Sequence, residues 1–191
     1  MSDLTITHAG STITRSADSP GSSISTSRRK IIRVTPSLST DAYALGDVLF
    51  TATEIENAVL EDGGSSKLIG MYILDFAAVA DSDAFFIFTE GSTALGTIND
   101  TAGITDADLK ANNVCGFLNL DASAATMGAV VDNARMYSVL PASGASEQSN
   151  ANIILQAAEG STSVYVQSIL YSSTTPTYAA DSWQLIFHIE Y

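Results

Sequence analysis

Short apolar runs, each bounded by a cluster of Gly, Pro, Asp or Ser, recur from residue 31 to the C-terminus and restrict the chain to a strand-based fold. The run 31–35 ends at Pro36, and 47–53 is entered through Gly46. The run 67–76 follows the turn cluster Glu61-Asp62-Gly63-Gly64-Ser65-Ser66, and 84–89 follows Asp81-Ser82-Asp83. Later strands are expected at 114–120, 135–140, 152–157, 163–171 and 183–191, with the loop 172–177 joining the last two as antiparallel strands. One helix start stands among them. In Thr105-Asp106-Ala107-Asp108-Leu109-Lys110, Thr105 serves as the cap and the acids suit the first turn. No long amphipathic helix alternates with the strands, so a doubly wound α/β fold is disfavoured. The pattern predicts an all-β protein, an antiparallel β-sandwich of jelly-roll or Greek-key type with one short helix and an extended N-terminal arm. Hydrophobic content of 46% against 15% charge supports a folded body.

Within 67–76, strict alternation sets Leu68, Gly70, Tyr72, Leu74 and Phe76 on one face and Ile69, Met71 and Ile73 on the other. Both faces are apolar. Such a strand is central and covered twice, or it faces a subunit interface.

Charge divides the chain unevenly. Of its eight basic residues, Arg15, Arg28, Arg29, Lys30 and Arg33 fall in the first 33 positions, against Asp3 and Asp18 alone, for a net +3. The remaining residues hold three bases and nineteen acids, a net −16. The sequence therefore divides into a Ser/Thr-rich basic arm, 1–30, and a sandwich domain, 31–191. Isolated Ile6, Ile13 and Ile24 give the arm too little apolar surface to fold alone. Such an arm gains order by strand addition to a neighbouring chain, and opposite charges on arm and body favour that contact. The acidic body repels nucleic acid, and three adjacent cations at 28–30 are a weak phosphate signal.

Catalytic chemistry finds little support. His8 lies in the arm, and His188 alternates away from Phe187 and Ile189 on a strand. No nucleophile elbow, HExxH or paired-cysteine pattern occurs. Gly63-Gly64 follows two acids and lacks a succeeding Gly-Lys-Ser/Thr, so it reads as a tight turn. Acids at i, i+2 (Glu54/Glu56, Asp81/Asp83, Asp106/Asp108) have calcium-loop spacing without an EF-hand pattern. The lone Cys115 sits in an apolar run and reads as a small core hydrophobe. Tyr165, Tyr171, Tyr178 and Trp183 form a conceivable carbohydrate platform, although strand aromatics more often fill a core. No cofactor or metal is implied. Met1-Ser2-Asp3 shows no secretory n-region, and the run 68–74 is too short to cross a bilayer, so a soluble protein made in a cytoplasm is expected.

Several segments together resemble small virion structural proteins of tailed bacteriophages, many from marine hosts. They are Val34-Thr35-Pro36-Ser37-Leu38-Ser39-Thr40-Asp41-Ala42-Tyr43-Ala44-Leu45-Gly46-Asp47-Val48, Glu61-Asp62-Gly63-Gly64, Thr105-Asp106-Ala107-Asp108-Leu109, and Thr175-Pro176-Thr177-Tyr178 before the closing strand. The resemblance covers most of 31–191 and implies a non-enzymatic decoration or cement protein on the outer surface of the phage head. Its partners would be the major capsid protein and neighbouring copies of itself, as a dimer or trimer, with neither nucleic acid nor membrane. Arg15, Arg28, Arg29, Lys30 and Arg33 are the expected partner-binding residues, read from charge and position. A tail, neck or fibre component binding host glycan is the main alternative. A calcium-dependent carbohydrate-binding module or glycosidase, and a pilin or surface-layer subunit, are the others.

Overall fold

Alternating apolar residues and turn-forming clusters build two antiparallel sheets that close over one core. The computed structural model describes residues 28–79, 83–120, 134–139 and 153–191, together with the backbone of strands at 4–8, 11–15 and 127–131. In chain order the elements are β1 (Leu4–His8), β2 (Ser11–Arg15), β3 (Arg29–Val34), β4 (Val48–Ile55), β5 (Ser65–Asp75) and β6 (Ala84–Thr89). There follow α1 (Asp106–Asn112), β7 (Val114–Leu120), β8 (Met127–Val131), β9 (Ala134–Val139), β10 (Ile153–Gln156), β11 (Val164–Leu170) and β12 (Trp183–Glu190).

A six-stranded sheet runs β3-β12-β5-β9-β8, with β10 also pairing β5, and a four-stranded sheet runs β4-β11-β6-β7. Early strands thus pair with late ones: β3 with β12, β4 with β11, β5 with β10. Nested antiparallel pairs shared between two facing sheets are the jelly-roll arrangement, so the all-β sandwich expected from the sequence is what the chain forms. The loop 172–177 joins strands of different sheets. It carries the chain from β11 in one sheet to β12 in the other. The Pro176 carbonyl accepts from the Tyr43 amide at 3.0 Å, and buried Tyr178 meets Tyr43 and Trp183 edge-on. Those contacts pin the crossing over one end of the core.

β12 shows why the layers hold. Trp183, Leu185, Phe187 and Ile189 alternate inward and are fully buried, while Gln184, Ile186, His188 and Glu190 face outward. β5 departs from alternation. His188 pairs with Gly70 but Ile189 pairs with Leu68, leaving a bulge at Ile69. The extra residue reverses the inward set, so Leu68, Met71 and Ile73 are buried together. Tyr72 and Leu74 lie half-buried outside, and Phe76 is exposed. The expected grouping of Leu68 with Tyr72 and Leu74 therefore fails at one inserted residue.

Turns follow local chemistry. Gly64 donates its amide to the Glu61 carbonyl at 2.8 Å, and a Cβ there would lie 2.7 Å from that oxygen, so only glycine fits. Thr105 and Asp108 form a reciprocal capping box at the start of α1, as the sequence indicates. Their hydrogen bonds hold the Asp108 carboxyl below its ordinary range. After β5, the Asp75 carboxylate accepts from the amides of Ala77 at 2.9 Å and Val79 at 3.0 Å. Burial still raises its pKa overall.

Strand β3 starts at Arg29, inside the stretch expected to belong to the arm, and the Arg28 carbonyl already accepts from the Tyr191 amide at 2.8 Å. The arm itself contains a ribbon in which, among the described residues, β1 and β2 pair only with each other, Ile6 opposite Ile13. Expected positions Ile24, Asp81, Ser82, Leu140 and Asn152 lie outside the described residues.

Candidate functional site

The placement of β3 relocates the positive charge. Residues 1–27 hold one base, Arg15, against Asp3 and Asp18, a net −1. Residues 28–34 hold Arg28, Arg29, Lys30 and Arg33 and no acid, a net +4. The basic feature of this chain is thus the edge strand of its six-stranded sheet, and not a loose arm.

Among the described residues β3 pairs with β12 alone, which leaves one row of its backbone groups facing outward. Alternation turns Arg29, Ile31 and Arg33 to the outer face of the sheet, while Ile32 enters the core. Arg29 donates from Nε to Glu190 Oε2 at 2.9 Å. At 70% and 27% side-chain exposure this pair is well screened and contributes under about 1 kcal/mol. Lys30 and Arg33 are exposed. They border a groove of about 530 Å³ that also takes in Glu54, Glu56 and Asn57. The groove runs between β3 and β4, the neighbouring edge strands of the two sheets. It offers backbone hydrogen bonds and charges of both signs to an extended segment.

Of the five expected binding residues, four converge on this edge. Arg15 does not: it ends β2 in the separate ribbon. Around the edge, the outer face of the six-stranded sheet adds Ile31, Tyr72, Leu74, Met136 and Ile186, with the His188 ring 4.9 Å from that of Tyr72. His188 is a half-buried strand residue, as alternation requires.

The remaining candidates resolve into structural roles. Trp183 and Tyr178 are core residues, while Tyr171 is 67% exposed at the end of its strand, so the four aromatics form no common platform. Asp106 and Asp108 serve the helix start. Among the described residues no three His, Cys, Asp or Glu side chains cluster as a metal site. Cys115 packs partly buried against the core, its Sγ 3.6 Å from the Gln156 carbonyl. Burial raises the thiol pKa. At about pH 8 its alkylation by iodoacetamide is expected to be slower than that of free cysteine, the difference vanishing in denaturant. Equal rates in native and denatured protein would show an accessible thiolate instead.

Two polar residues escaped the sequence reading. Gln167, buried on the outer side of β11, accepts from the Leu95 amide at 2.8 Å and donates to the Thr93 carbonyl at 3.0 Å. Buried Asn112 accepts from the Thr93 amide at 3.0 Å and donates to the Thr93 and Asp108 carbonyls. Together they hold the segment around 93–95 against the four-stranded sheet beside α1. A lone Gln in an otherwise apolar strand run was the one available signal.

No family model matches the chain, and neither curated proteins nor solved structures yield a match to it. Among the described residues no helix is long and apolar enough to cross a membrane.

Proposed function

We propose that this chain is a non-enzymatic virion component, a decoration or cement protein. It binds the outer surface of a tailed-phage head and stabilises contacts between capsomers of the major capsid protein. The observation that carries the reading is the basic, open-edged strand β3 on an otherwise strongly acidic jelly roll, with an N-terminal ribbon leading from it. A cement must cross subunit boundaries. An open edge and a tethered ribbon do so with backbone hydrogen bonds and little chain. The partner surface is acidic where it meets Arg28, Arg29, Lys30 and Arg33, and the acidic remainder faces solvent, where it keeps particles apart. Many weak contacts act together when copies repeat on a lattice. Jelly rolls serve capsids, lectins and cupins alike, so the fold alone adds only an analogy.

Cosedimentation with capsids stripped of the protein tests the proposal. Saturation at a stoichiometry commensurate with the capsid lattice supports it. Absence of binding at any salt concentration counts against it.

A further inference from the structure

An apolar groove of about 490 Å³ opens on the outer face of the four-stranded sheet, beneath α1. It is lined by Phe85, Ile87, Ile104, Leu109, Val114 and Phe117, with Lys110 as the one charged residue. The Phe85 and Phe117 rings stack with centroids 5.0 Å apart. Leu109 and Val114, at 38% and 42% exposure, present their side chains to solvent. A concave, contiguous apolar surface of this kind on an acidic protein marks a contact site.

The ribbon has the matching deficit. Its register sets Leu4 opposite Arg15, Ile6 opposite Ile13 and His8 opposite Ser11, so positions 4, 6, 8, 11, 13 and 15 share one side, which carries all three aliphatic residues of the ribbon. Thr5, Thr7, Thr12 and Thr14 occupy the other. An isolated two-stranded ribbon is marginal in water and gains stability when its apolar side is covered. Among the described residues it pairs with no strand of the sandwich.

We propose that the aliphatic side of the β1–β2 ribbon of one copy seats in the Phe85–Phe117 groove of a second copy. Residues 16–27 bridge Arg15 to Arg28 and span up to about 45 Å when extended. The chain leaves that linker at β3, beside β4, whereas the groove lies on β6 and β7 at the opposite edge of the sandwich. A neighbour set edge to edge presents its groove directly to the linker, while the chain's own groove requires the linker to pass around the body. Charges agree as well. Asp106 lies three positions before Leu109 and so on the same side of α1, where it complements the positive charge of Arg15. The contact is heterologous, so it closes into a ring such as a trimer or runs on across a lattice. The inference deepens the bridging role proposed above and rests on it for its setting. Its test needs no capsid, so failure here leaves capsid binding to be judged separately.

In a Cys115→Ser background, one set of copies carries Ile6→Cys and a differently tagged set carries Leu109→Cys. The two are mixed at high protein concentration under mild oxidation. A disulfide-linked heterodimer is expected, well above that formed when the second set carries Thr177→Cys on an exposed loop instead. A heterodimer yield no greater than that control overturns the proposal. So does a copy bearing both Ile6→Cys and Leu109→Cys that closes its disulfide internally and sediments as a monomer.

Discussion

Replacing Trp183 by alanine is expected to destabilise the chain by about 3–5 kcal/mol, the largest loss available to any single core substitution here. The indole is fully buried, stacks edge-on with Tyr178 at 5.2 Å and lies 6.4 Å from the Phe86 ring. It joins both sheets to the crossing loop. Truncation therefore opens a cavity where β12, β6 and the 172–182 segment meet, and rigid neighbours on three sides limit collapse. Against a typical stability of about 5–15 kcal/mol, this removes a large share of the total. For a domain of this size it lowers Tm by roughly 6–20 °C. Trp183→Phe should cost far less, about 1–2 kcal/mol, for a specific reason. The indole N–H meets no acceptor among the described residues, so phenylalanine forfeits volume but no hydrogen bond. Urea denaturation of both variants checks the account. Equal losses would mean that the N–H has a partner whose removal matters as much as the ring.

Replacing Arg28, Arg29, Lys30 and Arg33 together by serine is expected to weaken capsid binding about fourfold to several-hundredfold at low salt. The estimate takes roughly 0.2–1 kcal/mol for each exposed charge pair. Arg29 contributes less than an unpaired cation would, because Glu190 of its own chain already accepts from it. Added salt weakens the native protein's binding but has little effect on the variant, so the two curves converge near molar salt, where the screening length falls to about 3 Å. Stability should change little, since the four side chains are exposed and serine is tolerated on an edge strand. Occupancy that stays the same across salt concentrations would remove the basic edge from the mechanism.

The fold was legible where one residue pattern decided it. Alternation in β12, the capping box at Thr105 and Asp108, and the turn at Gly64 each depend on neighbours in sequence. The rest depends on partners far away. The bulge at Ile69 answers the register of β12 and turns Tyr72 and Leu74 outward, which β5 alone does not reveal. The path from β11 to β12 changes sheet because Pro176 and Tyr178 are held by Tyr43, more than a hundred residues earlier. β8, Met127-Gly128-Ala129-Val130-Val131, has no alternation to read. At the candidate site, the charges at 28–33 were plain but their setting was not. Cations on an edge strand look like part of a flexible arm until pairing with β12 places them. The apolar groove was less visible still, since Phe85, Leu109 and Phe117 come from three elements separated in sequence and brought together only by the fold.

We propose, then, a lattice-binding cement that grips through both its basic edge and its ribbon. The most direct measurement is cosedimentation of the full chain, and of a chain lacking residues 1–27, with capsids stripped of the protein. Truncation there leaves Arg28 and all of β3 in place, so the sandwich and its basic edge are retained. The account predicts saturation by the full chain at a lattice-commensurate stoichiometry, and weaker, salt-sensitive binding by the truncated chain. Failure of both forms to bind would contradict it and turn attention to the tail and its fibres.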